Sequence, residues 1–461
     1  MQLFPTEIDI DPTEGFTPQK DIFGRAAFGV RLTRIVRALE NPSVLLLDAP
    51  WGTGKTTFVR MWQGELAQAQ IPSIYFDAFA NDYQEDAFLA VASQIIAQAE
   101  SVKPRKGEAI NTFRKQALRT AKILGRASLR FAVRAATAGV VEGEHLEKAA
   151  AEVAKDFGDE TTKAIDELLR ERLESHDSDR KIFENFKEAL GELALALSSP
   201  HKNENDGLEG DSSEAEHSPP LVFIIDELDR CRASFALEIL EKVKHFFSVN
   251  GVVFVLVSSL KQLETAVCFA YGDIDAHTYL EKFYQLRILL PGGRLDRPDM
   301  ATATYLRHLG CNQNVAEVID EASRMYPLSL RTIERIVAYL KIIQVSVGQK
   351  GLFIPSICAI LCILKVVKPE LYDQARKAQL VFGQLDEVFH FSAWRGQHDP
   401  QERTALSKRV EEWWLFALGV SKDEQKNTQF QQTLWQYDME APRIIPHFCD
   451  VMDGFAFPEA S

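Results

Sequence analysis

Lys55 and Thr56 close the stretch "APWGTGKT" (49–56), and Asp226 and Glu227 close the distant stretch "LVFIIDE" (221–227). The first pattern suits phosphate binding. Gly52 and Gly54 let successive backbone N–H groups turn inward without a Cβ clash, the arrangement that cradles phosphate oxygens. Ala49, Pro50, Trp51, Gly52, Thr53, Gly54, Lys55, Thr56 and Thr57 are therefore read as a nucleotide-binding loop. Within it, Lys55 is expected to reach the β- and γ-phosphates, and the Thr56 hydroxyl to ligate Mg²⁺. The apolar-periodic segment that follows adds the positive end of a helix dipole. Ala49 stands where glycine is more usual, a departure confined to the first turn of the loop.

A phosphate loop needs a carboxylate on a neighbouring strand. Asp226 ends a buried-type apolar run, so it falls at a strand's carboxyl end, where ligands gather in open α/β sheets. It is the expected Mg²⁺ acid, acting through the metal's water shell. Glu227 is the expected general base for the attacking water. Asp229 has two readings, as a cap for a helix beginning near Ala233 or as an assistant to Glu227. Ser258 and Ser259 end a further apolar run, where a polar side chain could sense the γ-phosphate. No N-K-x-D guanine-reading motif occurs, which favours adenine and hence ATP as the nucleotide.

These groups need a scaffold. Apolar runs at 43–48, 73–79, 221–226, 252–259 and 286–291 read as five parallel strands, with helical patterns at 55–69, 86–99, 233–248 and 260–271 between them. The fold class is α/β: a parallel five-stranded sheet between helices. Because "SIYFDAF" (73–79) lies between the two motifs, a strand is expected to separate the loop strand from the acid strand. Four regions follow. Residues 1–100 and 221–296 form the two parts of the core, 101–220 a charged insertion, and 297–461 a helical C-terminal domain.

The insertion splits by charge. Residues 103–134 carry ten Lys/Arg and one acid, while 142–179 carry thirteen Asp/Glu against five Lys/Arg. Lys115, Arg119, Lys122, Arg126, Arg130 and Arg134 recur every three or four residues and make a basic stripe on a helix. That stripe suits nucleic-acid phosphates, an anionic membrane surface, or pairing with the acidic helix downstream in a charge-laced hairpin. Residues 198–220, polar and rich in Ser, Asp and Pro, read as a disordered loop.

The chain has 461 residues, a net charge of −14 and six scattered cysteines without a C-x-x-C pair. Acidity argues against a whole-protein nucleic-acid coat, and the cysteine spacing against a zinc site or a disulfide framework. The start lacks the charged and apolar regions of a leader peptide. "GLFIPSICAILCILKVV" (351–367) is too short to span a bilayer and holds Pro355 and Lys365, so it reads as a buried helix. The expectation is a soluble, cytoplasmic protein without a transmembrane anchor. Trp413 and Trp414 read as core residues of the C-terminal domain.

"PWGTGKTTFV", "FIIDELDRCRASFALEILEKVKHFF", "FAYG" with "YLEKFYQLRILLP", and "LSLRTIERI" together resemble the KAP family of P-loop NTPases, over about residues 20 to 370 apart from the insertion. The resemblance implies an ATPase core of the additional-strand, catalytic-glutamate type, followed by a helical segment. It places Lys55, Thr56, Asp226, Glu227 and Asp229 at the family's functional positions. It sets "FGR" (23–25) near the adenine, and Arg331 where a helical-domain arginine could approach the γ-phosphate; pairing of Arg331 with Glu334 is the alternative. Two departures are visible. Many relatives carry transmembrane helices where this chain has its charged insertion, and Ser258 and Ser259 replace an acid common at that strand end. The resemblance further implies a prokaryotic setting, with anti-phage defence among the roles of relatives. An ATP-driven switch acting on a protein partner is the function expected. A non-hydrolysing ATP-bound scaffold and an ATP-dependent nucleic-acid module are the alternatives. A homo-oligomer follows if an arginine acts in trans.

Overall fold

Consecutive aliphatic residues leave a strand no polar face, so such runs must be covered on both sides. In the computed structural model the five runs do form strands: β1 Ser43–Asp48, β2 Ser73–Asp77, β3 Leu221–Asp226, β4 Val252–Ser258 and β5 Leu286–Leu289. The structure describes residues 3–4, 9–102, 107–138, 160–198, 218–292, 301–348, 350–394 and 405–454. All five strands pair in parallel, in the order β2-β3-β4-β1-β5.

A strand does separate the loop strand β1 from the acid strand β3, but it is β4. The expectation that pointed to "SIYFDAF" is corrected: β2 lies at the sheet's edge, beyond β3. Chain order carries no information on lateral order once a crossover can skip a strand.

Helices α1 (Ala26–Arg37) and α2 (Lys55–Gln68) cover one face of the sheet, where Val36, Phe58 and Trp62 meet Leu45, Ile224 and Val255. Helices α3 (Ala87–Val102), α4 (Gly107–Ala138), α5 (Glu160–Ser198), α6 (Ala233–Lys242), α7 (Leu260–Tyr271) and α8 (Ala276–Glu281) contribute to the core on the other face, with Ile74, Phe223 and Phe254. The segment before α1 crosses α2 so closely that a Cβ on Gly64 would stand 2.0 Å from the Gly15 nitrogen. Only glycine fits there.

The base of the insertion is part of this core. Phe113 of α4 and Phe186 of α5 pack as tilted rings at 5.4 Å, and Phe186 meets Phe88 of α3 at 5.1 Å. All three rings are fully buried, each contributing about 1.5–3 kcal/mol. The described basic side chain with an ion pair on α4, Arg114, pairs with Glu100 of α3, not with the acidic helix. Such exposed pairs are worth about 0–1 kcal/mol. Apolar packing therefore holds the described base of the hairpin, while the acidic side chains of 142–178, on which charge lacing would depend, lie outside the described residues. Lys115, Arg119 and Lys122 stay exposed. The side chains of Arg126, Arg130 and Arg134, and most of the segment read as a disordered loop, lie outside the described residues.

The C-terminal region is helical throughout the described residues: α9 (Ala301–His308), α10 (Gln313–Met325), α11 (Leu330–Val347), α12 (Pro355–Val367), α13 (Pro369–Arg376), α14 (Phe382–Phe389), α15 (Ala405–Ala417), α16 (Glu424–Trp435) and α17 (Ile444–Gly454). Pro355 opens α12, where its fixed φ suits the first turn and its missing N–H costs nothing. This helix is the domain's apolar axis, with Ile357 through Cys362 fully buried. No helix among the described residues is long and apolar enough to cross a membrane. Trp414 is fully buried and donates its indole N–H to the Ser356 carbonyl at 3.2 Å, as a core residue should.

Candidate functional site

The loop that follows β1 and the carboxyl end of β3 meet a cavity of about 690 Å³. Its wall takes Trp51, Gly52, Gly54, Lys55, Thr56 and Thr57 from the loop and Asp226, Glu227, Asp229 and Arg230 from the acid motif. The remainder comes from Phe58, Arg60 and Met61 of α2, from the segment before α1, including Ile22, Phe23 and Arg25, and from the helical domain, including Tyr305, His308 and Arg331.

The loop turns through two left-handed glycines, Gly52 (φ 71°) and Gly54 (φ 79°), and the second leads directly into α2. Ala49, Pro50 and Thr53 close the loop on itself and do not face the cavity. The Thr53 hydroxyl donates to the Pro50 carbonyl at 2.9 Å, and buried Ala49 offers its carbonyl to Lys55 Nζ at 2.8 Å. Ala49 has no room to face solvent, which is why an alanine serves at this position.

The acids of β3 divide their work. Asp226 exposes none of its surface. Its Oδ1 accepts the Glu227 N–H at 2.8 Å and its Oδ2 accepts the Tyr75 hydroxyl at 2.9 Å. Burial raises its pKa; donors from Thr56, Tyr75 and the Glu227 N–H pull it back. Glu227 adopts a left-handed φ of 59°, which turns its side chain off the strand toward the loop. Its Oε1 lies 3.4 Å from the Thr56 hydroxyl and 2.8 Å from an Arg230 nitrogen. Burial raises this carboxyl too, and Arg230 opposes the rise.

Asp229 does not cap a helix, the first of the two readings its sequence position offered. Helix α6 starts at Ala233 with Arg232 at its cap position and no side-chain cap bond, so the helix-cap reading is corrected. Asp229 Oδ2 instead gathers three donors: the Trp51 indole at 2.7 Å, the Ser259 N–H at 2.9 Å and Lys55 Nζ at 3.5 Å. It ties the loop to the end of β4. Ser258 and Ser259 do not line the cavity. The Ser258 hydroxyl is fully buried and has no partner among the described residues, so the sensing role read for this strand end passes to no serine.

Two outlying predictions land at the cavity. In "FGR", Phe23 packs on Tyr305 at 5.7 Å, and Arg25 donates to the carbonyls of Thr53 (3.0 Å) and Gly292 (3.1 Å). Burial pulls the Arg25 pKa down to about 10, partly opposed by Asp21. Arg331 lines the cavity, and the Glu334 carboxylate accepts a hydrogen bond from the Tyr305 hydroxyl. Helix α11 also touches the loop directly, because the Leu330 N–H donates to the Gly52 carbonyl at 2.9 Å.

Hard oxygen donors at Thr56, Asp226 and Glu227, beside a lysine, fit a Mg²⁺ ion that keeps several waters and shares phosphate oxygens. Among the described residues no cluster of three His, Cys, Asp or Glu forms a self-sufficient metal cage. Sequence reasoning missed Tyr75, Arg60 and Leu330, whose parts depend on contacts between distant segments.

A family model described as the KAP family P-loop domain matches residues 28–347. Among solved structures, the ORC2 protein of Aeropyrum pernix in its ADP form shares 12% identity over 98% of this chain and 97% of that chain, with a TM-score of 0.35. Its ADPNP–ADP complexes share 11% identity over 98% of each chain, also at 0.35. No curated protein matches the sequence.

Proposed function

The chain belongs to the KAP family of P-loop domains, and from that premise we propose that it is an ATP-driven switch, binding and hydrolysing Mg-ATP to change the contact between core and helical domain. Gly52, Gly54 and the start of α2 hold the phosphates through backbone N–H groups, with Lys55 neutralising their charge. Thr56 and Asp226 would hold Mg²⁺, which would supply further neutralisation of phosphate charge. Glu227 takes the proton of the attacking water, and its neighbour Arg230 opposes the rise in its pKa that burial causes. Asp229 holds Lys55 and Trp51 in place. Arg331 approaches the γ-phosphate from the helical domain.

The observation that carries the switch is the 2.9 Å bond from Leu330 N–H to the Gly52 carbonyl. Any adjustment of the loop around phosphates is transmitted by it to the first turn of α11, and so to a domain that can present a partner surface. Hydrogen exchange at 330–347 tests this: ATP slows exchange there in the wild type, and Lys55→Ala removes the effect. Unchanged exchange on ATP binding contradicts a switch through α11. A cytoplasmic place in prokaryotic anti-phage defence rests on the family resemblance alone; loss of protection by Lys55→Ala in a plaque assay is its test.

A further inference from the structure

Asp226 is held by a side chain that neither nucleotide-site motif contains. The Tyr75 hydroxyl, from β2, donates to its Oδ2 at 2.9 Å, while Oδ1 takes the Glu227 N–H at 2.8 Å. Tyr75 is 8% exposed and Asp226 0%, so water does not compete for either partner. The register explains the contact. Asp77 of β2 stands opposite Asp226 of β3, so Tyr75, two residues earlier, projects on the same face, and its ring spans the offset.

The ring is itself fixed. The guanidinium of Arg60, from α2, lies 3.4 Å from the ring centroid, and the Tyr75 carbonyl accepts from Gln94 of α3 at 2.9 Å. A carboxylate offers about four lone-pair sites. With one on each oxygen occupied by a fixed donor, the plane of the Asp226 carboxylate is set, and the sites left over are those beside Thr56.

We propose that Tyr75 is a positioning residue for the magnesium-binding acid, and that its hydrogen bond to Oδ2 sets which lone pairs of Asp226 face the metal. This rests on the nucleotide-site reading above. Tyr75 does not line the cavity; it would act through Asp226, as partners behind metal-binding groups do elsewhere.

The test titrates Mg²⁺ into the full chain with a non-hydrolysable ATP analogue, reading affinity by calorimetry in the wild type, Tyr75→Phe, Asp226→Asn and the double variant. Melting temperature in EDTA reads the fold, and analogue affinity in EDTA reads the loop without metal. Tyr75→Phe should raise the half-saturating Mg²⁺ concentration about 10-fold or more, with analogue affinity in EDTA unchanged. The double variant should match Asp226→Asn, since Tyr75 has no route to the metal except that carboxylate. Wild-type Mg²⁺ dependence in Tyr75→Phe, alongside its loss in Asp226→Asn, overturns the role of Tyr75 and leaves the nucleotide site standing. An equal loss of affinity with and without Mg²⁺ makes Tyr75 a packing residue and also overturns it. If Asp226→Asn titrates like the wild type, Asp226 is not the metal acid and both readings fall.

Discussion

The mouth of the sheet and the axis of the helical domain bury comparable regions in opposite ways. At the mouth Asp48, Lys55, Asp226 and Asp229 are all enclosed, and each has a partner: Arg287 on Asp48, Ala49 and Asp229 around Lys55, Tyr75 on Asp226, Ser259 and Trp51 on Asp229. Along α12 the enclosed residues from Ile357 to Leu364 are aliphatic, alanine or cysteine, and the nearby tryptophans satisfy their indoles on backbone carbonyls. Buried ion pairs add little net stability, because desolvation offsets their attraction. Apolar packing has no such offset. The helical domain supplies a rigid body, whereas the mouth holds charges that a core would do without. They meet at Gly52, Ser329 and Leu330.

That contrast can be broken in steps. The largest expected effect is on stability alone. Trp414→Ala, deep in the helical domain, should lower the unfolding free energy by about 3–5 kcal/mol, read by denaturant titration. The folded fraction should keep wild-type affinity for ATP. Asp229→Ala should behave the other way round. It leaves Lys55, the Trp51 indole and the Ser259 N–H short of an acceptor, at a stability cost of about 1–3 kcal/mol. Its ATP affinity should fall as well, which calorimetry and thermal melting together would show.

The next substitution straddles the two regions. Gly52 has φ 71°, and a Cβ there would stand 3.0 Å from the Ser329 Cβ. Gly52→Ala should cost about 1–2 kcal/mol of backbone strain. It should also weaken ATP binding and unsettle the start of α11, measured by calorimetry and by hydrogen exchange at 330–347. Ser329→Ala is milder. Ser329 caps α11 by accepting the Thr332 N–H at 3.1 Å, and its loss should cost about 1 kcal/mol in a thermal melt, with ATP affinity nearly unchanged. An Ser329→Ala variant that loses ATP binding outright would mean the two regions are one unit.

The same contrast explains how much could be read from the sequence. The phosphate loop and the Asp226–Glu227 pair were legible because each motif is contiguous and its backbone geometry is local. Strands β1, β3 and β4 were legible because a strand covered on both faces must be apolar along its length, whereas edge strand β5 is largely exposed. Strand order was not, since β4 enters between β1 and β3 from far along the chain. The helix-cap alternative for Asp229 fails for a related reason: local spacing offered a cap, but three donors from the loop and the end of β4 won the carboxylate. The fully buried Ser258 hydroxyl and the Tyr75 bond to Asp226 are likewise products of register between strands. In the insertion, charge dominated the sequence pattern, yet Phe113 and Phe186 decide how its base is attached.

The ATP-driven switch proposed above requires that this loop bind ATP and that Glu227 turn it over. Its most direct test is steady-state ATP hydrolysis by the purified full chain, beside Lys55→Ala and Glu227→Gln, with ATP binding followed in parallel. Expected are turnover by the wild type, loss of binding by ~10²-fold or more in Lys55→Ala, and retained binding with turnover cut by a similar factor in Glu227→Gln. A wild type that binds ATP but hydrolyses it no faster than Glu227→Gln would contradict the switch and favour an ATP-bound scaffold. A wild type that binds no nucleotide would contradict the site itself.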